Sequence, residues 1–264
     1  MGSVLAINIS TERGIAKTSV GQIEVIEGWG LEGDAHGGDW DRQVSILPVE
    51  SLEKVPAEKK EEVLSGGYTE NFTIEGVDPA DLAVGNFVSL GDAVIKILHI
   101  GKEQYKNHGR PYIVSREGRF GQVVKGGPVR VGDEVSSYKL SRDSFLQCAQ
   151  EGHLTMAQIH LDEGMDPDAR DIYSATGLML AARGGHAPVV RALLDKGADV
   201  NASSDDGITA LMAAAYTGQA GIVEMLLSAG GNPGLRSDSG LTALSLAREA
   251  KQEAVVRLLE KSGA

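Results

Sequence analysis

The rhythm of hydrophobic and polar positions changes once along this chain. Up to about residue 140, apolar and polar residues alternate in short runs broken by Gly: Val4 to Ile9, Gln22 to Ile26, Gln43 to Leu47, Phe87 to Leu90 and Ala93 to Ile100. A period of two marks a strand with one buried face. Leu90-Gly-Asp-Ala93 reads as a hairpin turn, and Arg130 to Val135 as a last strand after a turn. Pro48 to Leu64 carries helical spacing and is expected to form an amphipathic helix. Many short strands with few helices predict a small closed barrel.

Beyond residue 141 the pattern becomes helical and repeats every 33 residues. Thr176, Thr209 and Thr242 keep this step, as do Ala149, Ala182 and Ala215, and Gly164, Gly197, Gly230 and Gly263. Each unit reads as a turn, a short helix, a second helix and a loop ended by Gly in the left-handed region. In one copy Thr176-Gly-Leu-Met-Leu-Ala-Ala182 precedes Val189-Val-Arg-Ala-Leu-Leu194; in the next Thr209-Ala-Leu-Met-Ala-Ala-Ala215 precedes Ile222-Val-Glu-Met-Leu-Leu227. A fixed period of this length means stacked units, none of which buries its apolar face alone.

Length and charge fit two domains. The 264 residues allow two ordinary cores, and the expected division is 1–140 and 141–264. The first part holds 15 Lys and Arg against 21 Asp and Glu, the second 10 against 16, so each has a formal charge of −6. An evenly acidic chain makes a poor generic nucleic-acid binder. No apolar run approaches the roughly 20 residues of a membrane helix, and Met-Gly-Ser-Val-Leu-Ala lacks the cationic start of a secretory signal. A cytoplasmic protein with no membrane partner is expected.

Cys148 is the sole cysteine, which excludes intramolecular disulfides and multi-thiolate zinc sites. It aligns with Ala181, Ala214 and Ala247, small positions on the first helix of each unit, and is read as a packing residue.

The repeats resemble ankyrin repeats, whose signature is Thr-Pro-Leu-His-x-Ala, in four units over 141–264. Gly177, Ala210 and Ala243 stand where the motif has Pro, and Met179, Met212 and Ser245 where it has His. That His ties neighbouring loops, so looser loops are expected here. The first and last copies read as solubilising caps. The resemblance implies an all-α solenoid that binds a protein partner through its turn tips and concave face. The candidates are Asp205 and Asp206 on a tip and Arg183 and Tyr216 on inner helices.

In the first half, polar residues crowd beside glycines. His36, Arg42, Lys102, Arg116 and Lys125 suggest a pocket for an anion, because Arg and Lys bring charge and donors while Gly lets backbone N–H groups approach. Gly30 to His36, Arg42 to Ser45, Glu70-Asn71, Ile100 to Lys102, Arg116 to Gly118 and Lys125 to Gly127 occur in an order that resembles the MOSC domain, named for the C-terminal part of molybdenum cofactor sulfurase. The resemblance covers roughly residues 3 to 138 and implies a mainly-β barrel that handles the molybdenum cofactor (molybdopterin). By similarity, His36, Arg42, Lys102, Arg116 and Lys125 would surround the pterin phosphate or oxometal centre, with Asn71 as a hydrogen-bond partner.

Many members of that family carry a cysteine after the Gly-Lys strand; this chain has no thiol in the barrel. A persulfide relay needs a reactive thiolate, so the usual sulfur carriage is not expected, and His108 is the one weak candidate for a metal ligand. The leading expectation is a protein that binds molybdenum cofactor, molybdate or tungstate and docks on a client through its repeats. A molybdenum-dependent reductase or sulfur-transfer enzyme, and a pure adaptor with a degenerate barrel, stay open as alternatives.

Overall fold

Eleven strands build the first unit of the computed structural model, which describes residues 2–12, 17–39, 42–54, 70–101 and 118–263. They are β1 (Gly2–Ile9), β2 (Thr18–Val20), β3 (Gln22–Ile26), β4 (Gly30–Leu31), β5 (Val44–Pro48), β6 (Phe72–Glu75), β7 (Phe87–Leu90), β8 (Ala93–Ile100), β9 (Arg119–Lys125), β10 (Gly127–Arg130) and β11 (Glu134–Tyr138). The chain separates into two units, Met1–Lys139 and Leu140–Ala264.

Seven strands close a barrel in the order β11, β7, β8, β9, β5, β6, β1. The ring is completed by β1 against β11, with Gly2 opposite Val135 and Ser3 opposite Glu134. Neighbours in the ring run antiparallel except β5 and β6, which are parallel. β2 extends the sheet from β1, and β10, β3 and β4 form a separate three-stranded sheet. Val4, Ile7, Ile46, Phe72, Ile74, Leu90, Ile95 and Ile97 meet in the core. Val4 and Ile7 are an odd number of residues apart, yet both are buried, because a register shift between Val4 and Ala6 resets the alternation.

Three expectations change in detail. Arg130 to Val135 is not one strand: β10 ends at Arg130, and the chain turns through Val131 to Asp133 before β11. The two flanking apolar residues belong to different strands, and Asp133 fixes the turn by accepting from Arg130 N at 2.8 Å. Pro48 closes β5, and the chain then makes a 3-10 turn, Val49–Lys54; the rest of the expected helix lies outside the described residues. β9 escapes a pattern search because Gly121 sits in its middle. A Cβ there would collide with Lys96 O of β8, so close passage of the neighbouring strand demands Gly.

The second unit is α1 (Arg142–Glu151), α2 (Leu154–Asp162), α3 (Gly177–Gly184), α4 (Ala187–Asp195), α5 (Ala210–Tyr216), α6 (Ala220–Ser228), α7 (Ala243–Glu249) and α8 (Glu253–Lys261). The helices form four antiparallel pairs. First helices stack in series, α1 on α3 on α5 on α7, and second helices likewise. Thr176, Thr209 and Thr242 are the N-caps of α3, α5 and α7, and each hydroxyl accepts from the backbone N–H three residues on, a bond worth about 1 kcal/mol. Val189, Val190 and Leu193 of α4 and Ile222, Val223 and Leu226 of α6 are buried; each fully buried aliphatic side chain contributes roughly 1.5–3 kcal/mol.

The loops are tied without the motif His. His186 Nε2 lies 2.9 Å from Gln150 O, and Gln252, 66 positions on in the same register, donates to Tyr216 O at 3.4 Å. Turn tips also bond each other directly: Asp205 N donates to Tyr173 O at 3.2 Å and Asp238 N to Asp206 O at 3.0 Å.

Candidate functional site

The start of β5, the start of β6, the end of β1 and the loop after β4 converge on one buried polar network. Its centre is Asn71, whose position is set by backbone pairing: Asn8 N donates to Asn71 O at 2.7 Å, and Asn71 N to Ser45 O at 3.0 Å. The side-chain Oδ1 accepts from Ser45 N at 3.0 Å and Ser45 Oγ at 2.9 Å. Its Nδ2 donates to Asn8 O at 3.2 Å and Asp34 Oδ2 at 3.0 Å. Both lone pairs and both N–H groups are therefore used inside the protein. Asn71, expected from the sequence as a hydrogen-bond partner of a cofactor, braces three strands and the Asp34 loop.

Asp34, with a fully buried side chain, passes this order to His36. Its Oδ1 accepts from Ser10 N at 2.9 Å and stands 3.5 Å from His36 Nδ1, while the imidazole is 36% exposed. His36 is thus presented at the surface from a fixed loop. Gln43 pins the other side of that loop: its Nε2 donates to Gly28 O and Gly38 O, and its Oε1 accepts from Val123 N at 2.9 Å. Trp29, half-exposed, has its indole against Gly37. Trp29 does not stand out in the sequence, and Gln43 does so only as part of the Arg42 to Ser45 piece, because their partners come from other turns and strands.

Arg42 has a different character. Its guanidinium carbon lies 5.9 Å from the centre of the Phe120 ring, a cation–π contact. Among the described residues no acceptor meets its buried Nε. An unmet buried donor costs about 1–3 kcal/mol, which an anionic oxygen would recover. Phe120 also borders Gly118, where a Cβ would stand 3.3 Å from the ring and 3.2 Å from Glu70 Oε1. The missing side chain at Gly118 thereby leaves room for both the buried Glu70 carboxylate and the Phe120 ring.

The remaining candidates divide. Lys125 ends β9, where it pairs with Val94 of β8. The Gly-Gly after it forms the passage into β10, where Gly127 pairs with Val25. Lys102, Arg116 and His108 lie outside the described residues; the residues flanking that segment, Gly101 and Gly118, are joined by a 2.8 Å hydrogen bond from Gly101 N. No group of three His, Cys, Asp or Glu side chains among the described residues is placed to hold a metal.

Each unit matches a known family. A MOSC-domain model matches residues 32–136, and an ankyrin-repeat model describing three copies matches 145–237 and 203–264. The chain is a MOSC domain followed by ankyrin repeats. No curated protein matches it. The MOSC match starts after β1, although β1 completes the barrel.

In the ankyrin repeats, Arg183, Tyr216, Asp205 and Asp206 are exposed. Arg183 and Tyr216 occupy the same register position, one repeat apart, which also holds exposed Gln150 and Glu249. Cys148 is buried in α1, and desolvation, helped by the Glu151 charge, pushes its thiol up to about 11. It stays protonated at neutral pH, as a packing residue does. His160 is buried beside the Phe145 ring, with Nδ1 2.7 Å from Met156 O and Nε2 2.7 Å from Ser144 Oγ. A carbonyl only accepts, so Nδ1 carries the proton and neutral Nε2 accepts from Ser144. Burial lowers the pKa of His160, opposed by the Met156 carbonyl. Among the described residues no helix is long and apolar enough to cross a membrane.

Proposed function

We propose that the MOSC barrel binds an oxyanion, either molybdate or tungstate or the phosphate-bearing molybdenum cofactor, and that the ankyrin repeats dock this barrel on a client protein. The observation that carries the reading is Arg42, a guanidinium held over Phe120 with a buried Nε and no acceptor among the described residues. His36, fixed by Asp34 at the same loop cluster, adds a second donor. Both Asp34 oxygens are turned into the network, toward Ser10, Asn71 and His36. This donor set suits charged oxygens and offers no thiolate.

When bound, the molybdenum cofactor would supply a redox-active metal. The chain's part would be to bind and orient its anionic groups, with Arg42 and His36 as described donors and Lys102 and Arg116 as further candidates. Sulfur transfer is disfavoured because the sole thiol is buried in a repeat helix and held protonated. A ligand-free adaptor is the competing reading, favoured by the internal use of every Asn71 donor and acceptor.

Metal analysis of natively purified protein, with titration by molybdate, tungstate and sulfate, tests the proposal. Stoichiometric metal, or oxyanion binding that Arg42→Ala weakens at least about tenfold, is the expected result. Neither metal nor oxyanion binding would sink it and leave the adaptor.

A further inference from the structure

The turn tips of the second, third and fourth repeats differ sharply in chemistry while keeping the same place. Ile172, Asp205 and Asp238 fall one repeat apart, and all three are exposed, Ile172 by 80%. Beside them, Tyr173, 69% exposed, corresponds to Asp206. On the inner helices, the matching column is Arg183, Tyr216 and Glu249, again all exposed. Both columns therefore run from an apolar or basic end at the second repeat to an acidic end at the fourth.

The tips also carry Arg170 beside Asp171 and Arg236 two residues before Asp238. Arg170 Nη1 donates to Ser174 O at 3.1 Å and Ser203 O at 2.7 Å, and Arg236 Nη1 donates to Gly240 O at 3.0 Å. Both guanidinium groups serve main-chain carbonyls. Among the described residues, Asp205, Asp206 and Asp238 enter no ion pair. The hydrogen bonds from Asp205 N to Tyr173 O and from Asp238 N to Asp206 O hold the three tips in a row. Stacked helices lie about 8–10 Å apart, and a polyproline II peptide rises about 3.1 Å per residue and returns a side chain to the same face every third residue. One repeat is therefore crossed by about three residues of peptide.

We infer that this face receives a peptide in the polyproline II conformation with an apolar residue over Ile172 and Tyr173 and with Lys or Arg three and six residues further on, over Asp205 and Asp238. The apolar pair anchors one end, and the carboxylates fix direction and register by charge complementarity. The inference rests on the reading of the repeats as a docking scaffold and adds the chemistry of the partner.

The test uses the full chain and a labelled synthetic peptide with Leu, Lys and Lys at positions 1, 4 and 7, read by fluorescence anisotropy. Its controls are a peptide with Glu in place of both Lys, a peptide with the two Lys at positions 3 and 5, and the double variant Asp205→Lys/Asp238→Lys, whose fold is checked by circular dichroism. Binding of the first peptide that rises at low salt and falls at least about tenfold with the Glu peptide or the double variant is expected. The peptide with Lys at positions 3 and 5 should bind less tightly. Equal binding of the Lys and Glu peptides, or no binding of either, overturns the inference. Selection from a displayed peptide library separates it from the docking reading. Selected peptides that lose capture with Tyr216→Ala but ignore the double variant overturn the inference alone, whereas a selection that yields no peptide overturns both.

Discussion

The barrel and the repeats solve the problem of buried polar groups in opposite ways. The barrel gathers Asn8, Ser10, Asp34, Ser45 and Asn71 from separate strands and loops, with bonds spanning 24 to 63 residues, and satisfies them against each other. The repeats settle most polar groups within one unit, through N-caps such as Thr176 with Met179 N, and reach only the next unit for the rest. A network of the first kind rigidifies one place and fails as a whole. Ties of the second kind fail one unit at a time.

The sharpest way to break this contrast is at its centre. Asn71→Ala strips partners from Ser45, Asn8 and Asp34 at once and is expected to cost the barrel about 4 kcal/mol. Chemical denaturation followed by tryptophan fluorescence reads the barrel, since Trp29 and Trp40 both lie before residue 140; an unchanged barrel transition would show that the network is dispensable. In the repeats, Leu193→Ala opens a cavity in α4 and should cost about 3 kcal/mol. Hydrogen exchange should localise the loss to the second repeat and its neighbours, with the barrel's protection intact; uniform loss over the whole chain would contradict a unit-by-unit array.

The smallest effect sharpens the comparison through pH. His160 holds its proton less tightly when folded, so the unfolded chain protonates first as pH falls. Repeat stability is then full above the ordinary His value of about 6.5 and declines as pH drops through the folded value. Cys148 has the opposite sign: its stabilising share is complete below its ordinary value of 9.0 and lost as pH rises toward about 11. His160→Gln should flatten the acid limb and Cys148→Ala the alkaline one, each measured by thermal denaturation of the helical signal. Limbs that persist in both variants would assign the pH dependence elsewhere.

The same contrast explains what was legible in the sequence. The repeats declare themselves because their period recurs locally: the Thr residues that mark the beat are the helix caps. In the barrel, β1, β3, β5, β7 and β8 follow from alternation, yet β9 is hidden by Gly121 and β10 merges with β11 across Val131 to Asp133. Motif order points to the neighbourhood of His36, Arg42 and Asn71 but not to their roles. Whether an amide faces a ligand or a carboxylate 37 residues away depends on strand pairing, and no local pattern encodes that.

Closure of the barrel by its first and last strands has a consequence in time. Gly2 meets Val135, so β1 leaves the ribosome with one edge unpaired. At a synthesis rate of roughly 5–20 residues per second, that edge waits on the order of ten seconds for β11. Throughout this interval the nascent chain exposes a strand edge open to intermolecular pairing, and chaperone demand should therefore peak before the first repeat is made.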